Sequence, residues 1–163
     1  MSNYEEGFKL LDEKFGNGKD NIIALGTIAR EQGTDGSPRP VVRGVDAYYE
    51  DSVFYVSTNG KSNKMQQIAK NPEVSISSLT EMFTASGIGE NLGWVLDPKN
   101  ADLRTKLRTA FAPWYDSANN EKDENCCILA IHLTKGILNI NHWEKWYHMD
   151  FTNKKAIENG GVS

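Results

Sequence analysis

RPVVRGVDAYYEDSVFYVSTNGKSNKMQQIAKNP, residues 39–72, decides how this chain folds. The run that begins with Arg39 predicts an extended strand, and the pair Asp51-Ser52 predicts a turn. Val53 to Thr58 then returns as a second short strand, rich in β-branched and aromatic residues. The two strands are therefore expected to pair, and the second one leads into the polar segment from Asn59 to Lys64.

The apolar period changes after this polar segment. Met65, Ile68 and Ala69 follow the spacing i, i+3, i+4, which predicts a helix of about two turns. Pro72 ends it, because proline removes a backbone donor and restricts the residue before it. The sequence thus predicts two strands and a helix start that meet at one place.

The start of this helix has the features of an anion site. Ser62, or Asn63 if the boundary shifts by one residue, suits the N-cap, and the free N–H groups of a first helical turn attract anions. Lys64 adds a full charge, and the strand arginines Arg39 and Arg43 add donors suited to phosphate. The alternative is that Ser62 is only a cap and Lys64 only a solvated lysine. The combination favours a phosphate pocket.

Arg43 is expected to share one face of its strand with apolar residues. Side chains alternate along a strand, so that face carries Val41, Arg43, Val45, Ala47 and Tyr49. An arginine there is costly to bury unless an anion or a carboxylate accepts its donors. A structural salt bridge and a bound anion remain the two interpretations.

Length and charge limit the classes of function. A chain of 163 residues fits a single domain, residues 1–163, and a net charge of −4 argues against general nucleic-acid binding. No apolar run approaches the roughly twenty residues that span a bilayer, and the N-terminus is acidic where a secretory signal is basic. We therefore expect a cytoplasmic protein that contacts neither nucleic acid nor membrane.

Cysteine and histidine spacing gives no metal or disulfide signal. Cys126 and Cys127 are adjacent in an apolar run and should point to opposite faces of a strand, where packing is the favoured role. His132, His142 and His148 follow no metal-binding spacing. No metal site is expected.

The rest of the chain predicts a mainly β architecture with helices across its ends. A first amphipathic helix is expected within residues 1–18, and a second helix begins at Asp97-Pro98. Further strands are expected at Asn21–Glu31, Glu73–Leu79, Met82–Leu92, Cys126–Thr134 and Ile137–Asn141, with a surface loop over residues 114–125 and a loosely ordered tail over residues 152–163. The order predicts a barrel of six or more mostly antiparallel strands.

The motifs R-P-V-V-R, F-Y-V-S-T-N, G-K-S-N-K-M-Q-Q-I and N-P-E-V-S, in this order, resemble the pyridoxamine 5′-phosphate oxidase-like flavoproteins, especially their small general-stress-protein type. The clear likeness covers about Ile22 to Ser78. It implies the FMN-binding split β-barrel and FMN bound at the interface of a homodimer.

The resemblance also implies residue roles. The arginine-led strand would run beside the isoalloxazine and ribityl chain of FMN, which assigns Arg39, Val41, Val42 and Arg43. The phosphate would be held by Ser57, Thr58, Ser62 and Lys64. Contacts from the partner subunit are implied for Trp143 and Trp146, although interface packing is the alternative for both.

The chain departs from the family pattern at two places. Asn63 replaces an arginine beside the helix-start lysine, so the phosphate would receive less charge, which implies weaker FMN binding or another cofactor. Ile140 to Trp143 do not replace the arginine- and histidine-bearing segment that holds the substrate of the biosynthetic oxidase, which argues against pyridoxamine phosphate oxidation. We therefore expect an FMN-dependent oxidoreductase that acts on another small substrate or on a reduced nicotinamide, with no catalytic acid or base assigned. The alternatives are a non-catalytic flavin-binding or stress protein, and a relative that binds haem or a deazaflavin.

Overall fold

The computed structural model describes residues 1–141 and 144–159. Its elements, in chain order, are α1 (Asn3–Phe15), β1 (Asn21–Gln32), β2 (Pro38–Glu50), β3 (Val53–Asn59), α2 (Asn63–Lys70), β4 (Glu73–Ser78), β5 (Phe83–Trp94), α3 (Ala101–Ala110, after the 3-10 turn Pro98–Asn100), α4 (Tyr115–Ala118), β6 (Cys126–Ile140), β7 (Lys145–Asp150) and β8 (Lys155–Asn159). Among these residues, no helix is both long and apolar enough to cross a membrane.

The strands form one antiparallel sheet that closes into a barrel. Its order is β3-β2-β1-β4-β5-β6-β7-β8, and the additional pairing of β3 with β6 joins the first six strands of that order into a closed ring. β7 and β8 extend the sheet beyond the ring. The predicted mainly β barrel with mostly antiparallel strands is thus confirmed.

Strand alternation places one large apolar core inside the ring. On β2, Val45, Ala47 and Tyr49 point into it, and on β1 the inward residues include Ile23 and Leu25. Hydrophobic burial of this kind supplies most of the favourable free energy of folding. The predicted face of β2 is confirmed, and Arg43 lies at the end of that apolar row.

A second apolar cluster covers the outside of β6. There Cys126 and Ile128 pack under Leu107, Phe111 and Tyr115 from the helical segment. The neighbouring Cys127 belongs to the core inside the ring. The prediction that the two cysteines face opposite sides of one strand is therefore confirmed, and both thiols are free.

A helix covers each end of the barrel. α1 begins with a capping box, in which the hydroxyl of Ser2 accepts from the backbone N–H of Glu5, and it inserts Leu11 and Phe15 into the core. α2 closes the other end with Met65 and Ile68. α1 lies within the predicted residues 1–18, and α2 begins directly after the predicted N-cap Ser62 and ends two residues before Pro72.

Glycines of β5 allow two close approaches. A Cβ on Gly89 would lie 2.8 Å from Cγ2 of Ile68, so the missing side chain lets α2 settle against the strand. A Cβ on Gly87 would lie 2.7 Å from the carbonyl oxygen of His132, beside a register shift between β5 and β6. The missing side chains at these two positions therefore let α2 and β6 pack closely against β5.

The C-terminal third differs from the prediction in its strands. The two runs predicted from Cys126 onward form a single strand, β6, because Gly136 continues the ladder with β5 while its missing side chain makes room for Phe83. The strands β7 and β8 were not predicted. The expected loose tail is wrong for Lys155–Asn159, which pairs with β7 along its whole length.

The predicted surface loop over residues 114–125 is also partly wrong. It contains α4, and Tyr115 is fully buried in the cluster outside β6. Glu121 of this segment accepts from both Arg104 and Arg108 of α3. The predicted loop is therefore fastened to α3 by ion pairs.

Candidate anion-binding site

The site lies at the end of the barrel that α2 covers, and Arg43 is its central residue. This half-buried arginine lies on the inward face of β2, where the barrel opens toward the helix. Its guanidinium donates to the carbonyl oxygen of Leu25 at 3.2 Å, to Oγ1 of Thr27 at 2.7 Å and to Oε1 of Gln67 at 2.8 Å. All three acceptors are neutral.

The neutral partners leave the charge of Arg43 uncompensated. Within residues 1–141 and 144–159, no carboxylate forms an ion pair with it. Burial lowers the pKa of the guanidinium, which expresses the cost of removing this cation from water. Of the two interpretations of Arg43, the structural salt bridge is therefore not found in the described part of the chain.

Lys64 brings a second cation to the same place. It lies in the first turn of α2 and is half-buried. Burial is the main cause that lowers the pKa of Lys64, and the positive charge of Arg43 lowers this pKa further. The nearby Cys127 has the opposite effect and raises it. Like charges that share a partly dry site repel each other, so an anion between Arg43 and Lys64 would relieve both.

Ser62 holds the N-cap position of α2, but its side chain does not cap the helix. The hydroxyl accepts no hydrogen bond from the first turn, and its Oγ is buried with no partner among the described residues. A buried unpaired hydroxyl costs about 1–3 kcal/mol. Both the hydroxyl and the first-turn N–H groups, which have no acceptor inside a helix, are available to a ligand.

Ser57 and Thr58 point to opposite faces of β3. The buried Thr58 is directly opposite Cys127, on the inward face and at the end of the strand that meets α2. The hydroxyl of Ser57 lies on the outward face and donates to Oδ1 of Asn119 at 2.6 Å. The structure therefore does not bring Ser57 to Arg43.

The remaining residues of the arginine-led strand are spread along it. Arg39 is exposed near the hairpin tip and pairs with Glu31 at 3.3 Å. Val41 lies on the same face as Arg43, whereas Val42 points outward and is 70% exposed. The strand thus brings only Arg43 into the cluster with Lys64, while Arg39 has a carboxylate of its own.

The two tryptophans cannot both be placed. Trp143 lies outside the described residues. Trp146 lies in β7 and is only 5% exposed, so little of its ring is available to a partner subunit or its flavin.

Sequence reasoning missed Thr27 and Gln67. Both side chains are nearly inaccessible, at 2% and 8% exposure, yet both present oxygen atoms to Arg43. Thr27 follows Ile23 and Leu25 on the core face of β1. A polar residue in such an apolar row is the signal that points to a buried hydrogen-bond network.

Comparison with known proteins supports the fold through structures and not through sequence. No family model matches the chain, and no curated protein matches it. General stress protein 26 from Bacillus anthracis matches with a TM-score of 0.57 at 17% identity, over 81% of this chain and 90% of that chain.

Two further structures match over most of this chain. A pyridoxamine 5′-phosphate oxidase-related, FMN-binding protein from Nostoc punctiforme has a TM-score of 0.55 at 15% identity, and the match covers 100% of this chain and 98% of that chain. A haem-binding protein from Mycobacterium smegmatis has a TM-score of 0.60 at 12% identity, and the match covers 86% of this chain and 56% of that chain. The resemblance read from the sequence is therefore confirmed at the level of fold: this chain has the split-barrel fold of the pyridoxamine 5′-phosphate oxidase-related proteins.

Proposed function

We propose that this protein binds FMN and holds its phosphate between Arg43, Lys64 and the first turn of α2. One observation carries the proposal: two half-buried cations lie together, Arg43 donates only to neutral acceptors, and neither cation has an ion pair within residues 1–141 and 144–159. Burying uncompensated charge is costly unless a ligand supplies the counter-charge. A phosphate monoester supplies close to two negative charges and several acceptor oxygens.

The residues present fit a phosphate by their chemistry. The guanidinium of Arg43 is a planar donor, Lys64 supplies a point charge, and Ser62 supplies an unpaired hydroxyl. Charge-assisted hydrogen bonds of this kind typically contribute about 1.5–3 kcal/mol each. Thr58 lies at the same end of the barrel, whereas Arg39, Val41 and the outward Val42 are proposed only as contacts of the remainder of the cofactor.

The activity that we propose is that of an FMN-dependent oxidoreductase acting on a small substrate or a reduced nicotinamide. Bound flavin supplies the hydride chemistry itself, and the protein contributes binding and orientation. Here Arg43 and Lys64 would fix the phosphate end and thereby set where the ring lies. No proton transfer is assigned to any residue.

We further propose that the protein is a homodimer with the cofactor at its interface. Small residues follow one another across the outer face of three strands, at Gly44, Ala24 and Ser77. Exposed Ile22 and Leu79 border the recess that this row forms. Such a surface allows a second sheet to approach closely and buries apolar side chains when it does.

The oligomeric state can be measured directly. Light scattering after gel filtration should give twice the mass of the chain, which is 18.2 kDa. Ala24→Arg should produce monomers, because a long cation would enter the middle of the small-residue row. A monomeric wild-type protein would remove the interface from the proposal while leaving the phosphate site to be tested separately.

A non-catalytic flavin-binding protein is the second candidate. Every contact described at the site orients the cation Arg43 within the protein, and none of these contacts supplies an acid, a base or a nucleophile for a substrate. The fold itself also suits a haem or deazaflavin relative, since one structural neighbour is a haem-binding protein.

One purification distinguishes these candidates. The absorbance spectrum of the protein, with mass identification of any bound small molecule, should show FMN. Anaerobic bleaching by NADH or NADPH, followed by turnover on an acceptor, supports the oxidoreductase, whereas bound FMN that resists every donor supports the binding protein. A haem spectrum, a deazaflavin mass, or failure to bind added FMN would contradict the proposal.

A further inference from the structure

We propose that Thr27 and Gln67 are positioning residues that keep Arg43 directed at the bound phosphate and free of internal neutralisation. The inference rests on the proposed phosphate site and extends it to two neutral residues, which would act on the ligand through Arg43. It also assigns a requirement to position 67: the side chain there must be neutral for the site to bind an anion.

The geometry is a closed triangle of hydrogen bonds. Arg43 donates to Oγ1 of Thr27 at 2.7 Å and to Oε1 of Gln67 at 2.8 Å, and the Thr27 hydroxyl donates to the same Oε1 at 2.6 Å. The Thr27 hydroxyl therefore accepts a hydrogen bond from Arg43 and donates one to the side-chain oxygen of Gln67. Each member of the triangle fixes the orientation of the other two.

Burial makes this arrangement rigid. Thr27 and Gln67 are almost fully enclosed, on β1 and α2 respectively, so neither side chain can turn to water. The carbonyl oxygen of Leu25 adds a third contact to the guanidinium. Arg43 is thus held in place before any ligand arrives, which lowers the entropy cost of binding.

Because the side chain at position 67 is neutral, the charge of Arg43 remains available to a bound anion. A glutamate has the shape of glutamine, so its carboxylate would stand about where Oε1 now accepts from Arg43 at 2.8 Å. Such a carboxylate would form an ion pair with Arg43 and compete with phosphate for the same charge. It would also offset the repulsion between Arg43 and Lys64 in the ligand-free protein.

Gln67→Glu therefore should change stability and affinity in opposite directions. We expect the dissociation constant for FMN to rise at least tenfold, and the thermal stabilisation by inorganic phosphate to fall in parallel. We expect the ligand-free protein to melt at a higher temperature than wild type. A residue that served packing alone would lower the melting temperature when altered, so the rise is the distinguishing result.

Ala69→Glu is the matched control. It adds the same charge to the same helix at an exposed position, where no contact with Arg43 exists. We expect its affinity for FMN and phosphate to stay within about twofold of wild type, because exposed charges are screened. Equal losses in Ala69→Glu and Gln67→Glu, or a Gln67→Glu protein that melts earlier or does not fold, would overturn the proposal.

Thr27→Val tests the second member of the triangle. Valine keeps the shape but removes the acceptor for Arg43, so we expect FMN affinity to fall severalfold, and Thr27→Ser should restore most of it. Unchanged affinity in Thr27→Val would limit the positioning role to Gln67 and contradict the pairing proposed here.

The two proposals can fail separately. If wild type binds FMN and Gln67→Glu binds it equally well, the positioning role is wrong and the flavin site stands. If wild type is stabilised by inorganic phosphate but binds no FMN, the flavin assignment is wrong and the effect of Gln67→Glu on phosphate still tests the positioning role. If wild type responds to neither, both are overturned.

Discussion

The two ends of the barrel are closed by helices in different ways. At the α1 end, Phe15 packs against Tyr49, Phe54 and Phe83, with ring centroids 5.4–6.0 Å apart. At the α2 end, apolar contacts of Met65 and Ile68 surround a polar group of Arg43, Thr27, Gln67 and Lys64. One end is sealed by aromatic packing, and the other holds cations that are partly removed from water.

This difference separates stability from binding. Aromatic burial at the α1 end contributes directly to the free energy of unfolding. At the α2 end, desolvated cations reduce the stability of the ligand-free protein and raise the affinity for an anion. Substitutions at the two ends should therefore affect different measurements.

Removal of an aromatic ring at the α1 end should have the largest effect. Phe15 is 2% exposed, so Phe15→Ala should lower the free energy of unfolding by about 3–5 kcal/mol. Denaturant unfolding measures this loss. The affinity of the folded protein for FMN should remain within about twofold of wild type.

Phe8→Ala is the control for this substitution. Phe8 lies on the same helix but is only partly buried, so Phe8→Ala should lower the free energy of unfolding clearly less than Phe15→Ala does. A large fall in FMN affinity in Phe15→Ala, at conditions where the protein is folded, would mean that the two ends are not independent.

Lys64→Met should show the opposite pattern. Methionine keeps much of the aliphatic length but removes the charge, so FMN affinity should fall tenfold or more, equivalent to about 1.5–3 kcal/mol. The free energy of unfolding of the ligand-free protein should stay equal or rise, because repulsion with Arg43 disappears. Fluorescence titration with FMN and denaturant unfolding give the two values.

Lys61→Met is its matched control. Lys61 is exposed in the loop that precedes α2, and its removal changes the net charge by the same amount. Loss of affinity in Lys61→Met equal to that in Lys64→Met would indicate a general charge effect and not a site at the α2 end.

Local signals in the sequence predicted most of the fold that surrounds this site. The turn at Asp51-Ser52, the change of apolar period at Met65 and the stop at Pro72 all act between near neighbours, and the hairpin and α2 follow from them. Strand alternation likewise placed Arg43 on the core face. These features need no knowledge of distant parts of the chain.

Features that depend on distant partners were not predictable in the same way. β8 is short and polar, with Lys155 and Glu158 in it, and it becomes a strand because β7 offers an edge to pair with. The side-chain acceptors of Arg43 come from residues 16 and 24 positions away in the chain. The sequence showed that Arg43 needs an acceptor, but only the packing of α2 against β1 shows that the acceptors are neutral.

Gly89→Ala, which adds a methyl group under α2, should have a smaller effect and should lower both the free energy of unfolding and the affinity for FMN. A Cβ on Gly89 would lie 2.8 Å from the β-branched side chain of Ile68, so Gly89→Ala must move α2. We expect a loss of about 1–3 kcal/mol in the free energy of unfolding. FMN affinity should fall as well, because Lys64 and Gln67 move with the helix.

Gly7→Ala adds the same group at the α1 end. Its Cβ would lie 2.9 Å from Sδ of Met149, a flexible side chain that can turn aside, and alanine favours the helix over glycine. We expect little net change in stability and no change in FMN affinity. If Gly7→Ala weakens FMN as much as Gly89→Ala does, α2 is not the element that carries the site.

The smallest expected effect is the pH dependence that Lys64 causes. Burial and the charge of Arg43 lower the pKa of Lys64, so the folded ligand-free protein releases this proton at a lower pH than the unfolded chain does. Between the lowered pKa and the ordinary value of about 10.4, the unfolded state binds more protons, and stability due to this group rises with pH. Phosphate affinity should change the other way, because the charge that binds it is lost.

The measurement compares wild type with Lys64→Met, since other groups titrate in the same range. Burial raises the pKa of the Cys127 thiol to about 11, and this group lowers stability as pH rises above the ordinary pKa of a thiol. Because Cys127 is present in both proteins, the difference between their unfolding free energies contains only the titration of Lys64 and the interaction of Lys64 with Cys127. That difference should shift in favour of wild type from neutral to alkaline pH while the FMN affinity of wild type falls toward that of Lys64→Met. A flat difference would place Lys64 in bulk water and leave Arg43 as the cation that distinguishes the α2 end from the α1 end.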